Sequence, residues 1–142
     1  MYNAQQIGKM RYRLQNEYNK TLKVSTINST ESVFTLYDCD TRITMDIRIV
    51  PFNNKNDCTV HIREIDKTYK FVMNSIKAIE QVIGLLIPNS IKYHGAVNYK
   101  LIEKKKKFGN TVVILEDEGG NRLELRIEAV HMAIKQGLLL IP

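Results

Sequence analysis

The sequence of 142 residues contains no tryptophan, three prolines and two cysteines. Two cysteines allow one disulfide at most, so the fold cannot depend on a network of covalent cross-links. A chain of this length buries roughly two-thirds of the surface that its unfolded form exposes, and it can form a core without staples. We therefore expect Cys39 and Cys58 to be reduced packing residues, as is usual in the cytosol.

Long apolar segments are missing as well. The longest run, from Val82 to Pro88, contains Gly84 and is far shorter than the roughly 18 apolar residues that suggest a membrane span. The first twenty residues mix charges with helical spacing and lack the apolar centre of a signal peptide. These absences predict a cytoplasmic protein with no membrane partner.

The sequence also lacks the short motifs that position catalytic groups. It has no Gly-x-Ser-x-Gly elbow, and its glycines do not form a phosphate-binding loop. Cys39 lies between Asp38 and Asp40, whose negative charges disfavour a thiolate nucleophile. We expect no catalytic residue, no cofactor and no enzymatic activity.

Metal ligands are equally sparse. Cys58 and His61 are three residues apart, and on a strand this spacing directs two side chains to opposite faces. Glu116, Asp117 and Glu118 resemble a carboxylate group for Mg²⁺, but such clusters in hairpin turns are usually solvated. The sequence therefore predicts no metal site.

Positive charge is concentrated near the two ends of the chain. The net charge is +6, and residues 1–22 and 89–142 each contribute +3, whereas residues 23–88 are neutral. Such patches attract polyanions, so nucleic acid or an acidic surface of a host protein complex is the expected partner. An exposed lysine run that only improves solubility is the alternative. The candidate binding residues are Lys9, Arg11, Tyr12, Arg13, Lys92, Lys100, Lys104, Lys105, Lys106 and Lys107.

Tyrosines are interleaved with these basic residues. Tyr12 lies among the first group, and Tyr93 and Tyr99 lie near Lys92 and Lys100. Base stacking combined with phosphate contacts would use such an arrangement, but ordinary tyrosine packing produces the same pattern. No helix-turn-helix or RNP motif is present, so sequence-specific recognition is not indicated.

The apolar spacing predicts an α+β fold. A helical stripe from Gln6 to Tyr18, with Asn3 as its N-cap, precedes a long region of period-two alternation. That region predicts an antiparallel meander of four to five strands. The stripe consists of Ile7, Met10, Leu14 and Tyr18, and the strands are expected near 22–27, 32–37, 42–50, 58–65 and 68–72.

A second amphipathic helix is expected after the meander, capped by Asn74 or Ser75 and ended by Pro88. Beyond a connection at 88–95, the pattern is βββα, with Gly137 ending the last helix. We expect two sub-modules, 1–88 and 95–142, which can also form one continuous domain. The apolar tail, residues 138–141, is expected either to be buried within the chain, which we favour, or to join a homodimer.

The segment VVILEDEGGNRLELRIEAVHMAIKQG, residues 112–137, resembles a module of small accessory proteins from Gram-positive phages and mobile elements. The resemblance implies a hairpin followed by a helix, in a protein that works in the cytoplasm of a bacterial host cell. It implies no particular site residue.

These observations together predict a non-enzymatic binding protein of phage or mobile-element type that engages nucleic acid, or a nucleic-acid-handling complex, through its basic patches. The alternatives are a protein inhibitor or adaptor that binds a host defence nuclease, as anti-CRISPR proteins do, and a structural virion subunit.

Overall fold

A computed structural model confirms the α+β class. A helix, an antiparallel meander, a second helix and a further group of strands with a third helix follow one another along the chain. The chain forms two compact units, 1–80 and 81–142. Their boundary lies within the second helix, and the connection at 88–95 lies outside the described residues. The structure describes residues 4–14, 22–28, 32–39, 42–86 and 97–141.

Helix α1 runs from Ala4 to Arg13. Ile7, Met10 and Leu14, which form the predicted stripe, are all buried. The stripe is therefore confirmed up to Leu14. The expected N-cap Asn3 and the last stripe residue Tyr18 lie outside the described residues.

Five antiparallel strands form the meander, in the order in which they occur in the chain. Each strand pairs with the next, with one register shift between Thr26 and Asn28 in the β1–β2 ladder, so the predicted meander is confirmed with all five strands. The bounds are β1 Leu22–Asn28, β2 Ser32–Asp38, β3 Ile43–Phe52, β4 Lys55–Ile62 and β5 Lys67–Met73.

One face of this sheet is buried, because alternate side chains of β2 to β5 are apolar. Cys58 belongs to this face and pairs with Phe71, whereas His61 pairs with Thr68 on the other face, as the spacing predicts. Cys58 and Cys39 are both free thiols, but only Cys58 is a packing residue, because Cys39 is exposed and the expectation for it is wrong. Burial raises the pKa of the Cys58 thiol. The buried face consists of Phe34, Leu36, Met45, Ile47, Ile49, Cys58, Val60, Ile62, Tyr69, Phe71 and Met73.

The hairpin between β3 and β4 is tighter than the sequence pattern predicts. Its turn is the pair Asn53 and Asn54, with φ values of 47° and 62°. Positive φ at both central residues is typical of a type I′ turn, whose twist matches that of the flanking strands. The predicted loop was too long because Asn56 and Asp57 are turn formers by composition, yet both pair in the ladder with β3.

The predicted strand 58–65 ends early. Residues Arg63–Ile65 form a single 3₁₀ turn, and Asp66 follows in the left-handed conformation with φ 47°. That conformation reverses the chain into β5. Ile65 continued the apolar alternation in the sequence, but its side chain is exposed.

Helix α2 runs from Ile76 to Leu86. The Ser75 hydroxyl oxygen accepts a hydrogen bond from the Ala78 amide at 3.3 Å, which confirms a cap at the predicted place. The helix is less amphipathic than expected, since Glu80 and Gln81 are buried together with its apolar stripe. Sequence spacing cannot show that a polar side chain is buried, because burial depends on its tertiary partners.

The second unit begins within α2, and the βββα expectation for the residues after that helix is confirmed. Three of its strands form an antiparallel sheet in the order β7-β8-β9, and α3 packs against β8 and β9. The Gln81 side-chain oxygen accepts a hydrogen bond from the Arg126 amide at 2.9 Å, just before α3. The bounds are β6 Val97–Asn98, β7 Lys100–Lys107, β8 Asn110–Glu116, β9 Arg122–Arg126, α3 Ile127–Lys135 and β10 Leu139–Leu140.

The end of the chain is held by its own unit. Gly137 adopts φ 74°, and the Leu138 amide donates to the Ala133 carbonyl at 2.8 Å, which ends α3 as predicted. Strand β10 then pairs in parallel with β6. Leu138 and Leu139 are buried, so the favoured expectation for the tail is confirmed.

Among the described residues, no helix combines the length and the apolar composition that crossing a bilayer would require.

The Asn53-Asn54 turn leads to a stability prediction. Asn54→Gly introduces the Asn-Gly pair that type I′ turns prefer, and we expect the free energy of unfolding to rise by about 0.5 kcal/mol. Urea denaturation followed by circular dichroism measures the change. The matched control is Lys55→Gly, in the adjoining strand, which should lower stability instead. A loss of stability in Asn54→Gly would contradict the turn assignment.

Candidate nucleic-acid interface

The basic residues of α1 do not form one patch. Lys9 is exposed and Tyr12 is 64% exposed, and their spacing of three residues puts them on the same side of the helix. Arg11 is only half-exposed. Arg13 makes an ion pair within the protein, so the four residues are not presented together.

The partner of Arg13 is Glu80, whose side chain is 0% exposed. The Arg13 guanidinium donates two hydrogen bonds to Glu80 Oε1, the one from Nε at 2.8 Å. The Lys77 ammonium donates to the other oxygen, Oε2, at 3.1 Å. A buried carboxylate requires such compensation, because an unpaired buried charge is strongly destabilising. The Arg13 guanidinium therefore contributes to the stability of the fold through its contact with Glu80.

The second basic segment belongs to the hairpin of β7 and β8, and we call residues 104–113 the lysine hairpin. Its first strand, β7, lies at the edge of the three-stranded sheet, and Lys104 to Lys107 are all exposed. Successive residues of a strand point to opposite faces, so the four lysines divide into two pairs.

Lys105 and Lys107 share an acidic partner on one face. Glu124, in β9, lies 3.0 Å from the Lys107 ammonium and 3.7 Å from that of Lys105. The hydrogen bond from Lys107 lowers the pKa of the Glu124 carboxyl, and the charge of Lys105 acts in the same direction. This pair is thus partly neutralised at the surface.

Lys104 and Lys106 lie on the other face. They pair in the ladder with Val113 and Thr111, and the Lys106 ammonium donates to the Thr111 hydroxyl at 2.8 Å. No acidic side chain of the described residues lies within ion-pair distance of either lysine. The uncompensated charge of the hairpin is therefore on this face.

Lys100 has different surroundings. It pairs with Glu116 in the ladder and borders a groove of about 520 Å³ whose lining includes Asp117 and Glu118. The Asp117 carboxylate accepts a hydrogen bond from the Asn121 amide at 2.8 Å, and this contact lowers the pKa of Asp117. The electrostatic potential around Lys100 therefore has contributions from both positive and negative side chains.

The remaining predicted residue, Lys92, lies outside the described residues, as does Tyr93. Tyr99 is buried, so its ring is not presented to solvent. Of the sequence-predicted binding residues, the structure brings together Lys104 to Lys107, whereas α1 belongs to the other unit.

Phe108 is a residue that the sequence analysis treated only as part of a turn. It occupies the tip of the lysine hairpin, and its side chain is 94% exposed. Phe108 and Gly109 have φ values of 50° and 79°, which is again typical of a type I′ turn. A phenylalanine where such turns favour asparagine or glycine is the signal that could have identified it.

Comparisons with protein-family models, with curated protein sequences and with solved structures found no similar protein. The resemblance of residues 112–137 to phage accessory proteins therefore stays a prediction.

The Arg13–Glu80 pair leads to a prediction about α1. Arg13→Ala removes the guanidinium hydrogen bonds to the buried Glu80 carboxylate, and we expect a loss of about 3 kcal/mol in the free energy of unfolding. Chemical denaturation measures the loss, and Lys9→Ala, at an exposed position of the same helix, is the control. Adding Glu80→Gln should restore part of the stability, because the unpaired charge is removed. Equal stability of Arg13→Ala and Lys9→Ala would contradict the proposed role of the pair.

The Phe108 turn leads to a further prediction. Phe108→Asn places the pair Asn-Gly in a type I′ turn. It also removes a phenylalanine from a positive-φ backbone conformation, which residues with a β-carbon other than Asn and Asp rarely adopt. We expect stability to rise by about 1 kcal/mol. Thermal unfolding by calorimetry measures this gain. The control is Phe52→Asn, at the exposed end of β3 beside the Asn53-Asn54 turn, which should show no gain in stability. A less stable Phe108→Asn would show that the ring supports the fold.

Proposed function

We propose that this protein is a non-enzymatic nucleic-acid-binding protein that contacts phosphates through the lysine hairpin. The observation that carries the proposal is the placement of Lys104 and Lys106. Both are exposed on one face of an edge strand, and no acidic side chain of the described residues neutralises them. Two such charges attract a phosphate backbone without reading its sequence.

The other two lysines add to this charge when a polyanion approaches. The ion pairs of Lys105 and Lys107 with Glu124 are at the surface, where such pairs contribute little to stability. A phosphate group can therefore compete with Glu124 for either ammonium group. The hairpin then presents positive charge on both of its faces.

The free edge of β7 supports the same role. Among the described residues, strand β7 has a strand neighbour on one side only, so its other backbone edge is open. Lysines on an edge also discourage pairing with a second protein strand, which is a structural reason for their presence. That reason applies to any edge strand, whether or not an acidic side chain lies beside its lysines.

The biological setting is part of the proposal. The resemblance of residues 112–137 supports an accessory protein of a phage or mobile element, at work in the cytoplasm of a bacterial host. A short basic protein without base-specific motifs suits a role in which nucleic acid is held rather than read.

A second candidate function, a protein inhibitor or adaptor of a host defence nuclease, is favoured by a separate observation. Val50 and Val72 flank Asp57 in the ladder on the exposed face of the meander, and all of Val50, Phe52 and Val72 are exposed. Grouped apolar side chains of this kind are typical of protein-binding surfaces. Recovery of a stoichiometric protein from nuclease-treated lysate at high salt, lost in Phe52→Ser/Val72→Ser, would support this candidate.

The nucleic-acid proposal predicts a specific salt dependence. Lys104→Gln/Lys106→Gln removes two phosphate contacts, so the slope of log affinity against log salt for a single strand should become shallower by about 1.4. Fluorescence anisotropy with a labelled oligonucleotide at several salt concentrations measures the slope. The matched control, Arg48→Gln/Lys55→Gln, removes two exposed charges from the meander and should leave the slope unchanged. The same slope in both double variants would contradict the proposal.

A further inference from the structure

Phe108 is the most exposed large apolar side chain among the described residues, at 94%. Its ring is not part of the core, and its backbone adopts φ 50°, which disfavours an aromatic residue. Neither packing nor turn geometry accounts for phenylalanine at this position. A contact made outside the folded chain would account for it.

The charges around the ring indicate the chemistry of that contact. The sequence of the lysine hairpin, KKKKFGNTVV, contains no acidic residue, and the exposed lysines lead directly to the ring. The matching partner is anionic and also offers a flat apolar surface. An unpaired nucleobase on a phosphate backbone has both properties, and an aromatic ring stacks on any base because every base has a π-face.

A duplex fits this hairpin less well, because paired bases are stacked on one another and show only their edges in the grooves. An anionic bilayer also fits less well, since no other apolar side chain lies beside Phe108 between residues 104 and 111. One ring gives a bilayer little apolar area to bury, whereas it is sufficient to stack on one base.

The two-residue turn fixes the position of the Phe108 backbone at the tip of the lysine hairpin. Phe108 and Gly109 alone join β7 to β8, and the Asn110 side-chain amide donates to the Phe108 carbonyl at 3.3 Å. Lysines on one face of β7 are about 6.6 Å apart, since a strand rises about 3.3 Å per residue. A single strand that crosses the tip can thus place one base on the ring and adjacent phosphates beside the lysines.

We propose that Phe108 stacks on an unpaired base, so that the lysine hairpin binds single-stranded nucleic acid in preference to duplex. This inference rests on the proposed function, because the lysines supply the electrostatic part of the affinity. Loss of one stacked base lowers affinity about tenfold or more. Binding of a duplex should be nearly independent of the ring.

The test compares a labelled oligothymidine strand with a hairpin duplex of equal phosphate number, by fluorescence anisotropy at low salt. Phe108→Asn should bind the single strand about tenfold more weakly and the duplex within twofold of the parent. Because this variant is expected to be more stable than the parent, its loss of affinity cannot come from unfolding. Phe52→Asn, which removes an exposed aromatic ring from the other hairpin, should leave both affinities unchanged.

A second variant reports the stacking itself. The chain contains no tryptophan, so Phe108→Trp introduces a single indole at the tip. Oligothymidine should quench its emission while the affinity for the single strand is retained, and the duplex should quench it much less. Vesicles containing phosphatidylserine should not shift this emission to the blue.

The outcomes separate the two proposals. If the parent binds neither the strand nor the duplex, both the proposed function and the stacking role are wrong. If the parent binds nucleic acid and Phe108→Asn keeps the same preference for the single strand, the lysines bind nucleic acid but the stacking role is overturned. A blue shift with vesicles and no quenching by oligothymidine would overturn it in favour of a membrane surface.

Discussion

A carboxylate buried completely within α2 is the strongest single constraint on this structure. Glu80 is 0% exposed, and it is tolerated there because Arg13 and Lys77 supply charge and hydrogen bonds to both of its oxygens. An unpaired charge at that position would cost several kcal/mol, a large share of the stability of a domain. The pair therefore holds α1 beside α2 in one arrangement.

The pairing of Arg13 with Glu80 also reduces the positive charge that α1 can offer to a binding partner. Arg13 is basic in the sequence, and a count of local charge adds it to Lys9 and Arg11. Once its guanidinium is paired with Glu80, the basic surface of α1 is smaller than the composition suggests. The remaining candidate for polyanion binding among the described residues is the lysine hairpin, where pairing with Glu124 is exposed and easily replaced.

The two type I′ turns carry different residues at their positive-φ positions. Asn53-Asn54 uses residues that tolerate positive φ, whereas Phe108-Gly109 places an aromatic ring where the backbone disfavours it. Residues held in such conformations are concentrated at binding and catalytic sites, where local stability is exchanged for function.

The sequence by itself determined the fold class, the buried stripe of α1 up to Leu14, the alternation of the meander and the βββα pattern of the second unit. These features depend on apolar periodicity, which is a local property of the chain. Only the tertiary structure decided that Asn56 and Asp57 pair in a ladder and that the buried Glu80 is paired with Arg13. It also decided that two lysines of the hairpin lie beside Glu124, whereas the other two lie on the face that we describe as uncompensated. Partners distant in the chain set these outcomes, since Arg13 and Glu80 are 67 residues apart, and no local pattern records which side chains will meet.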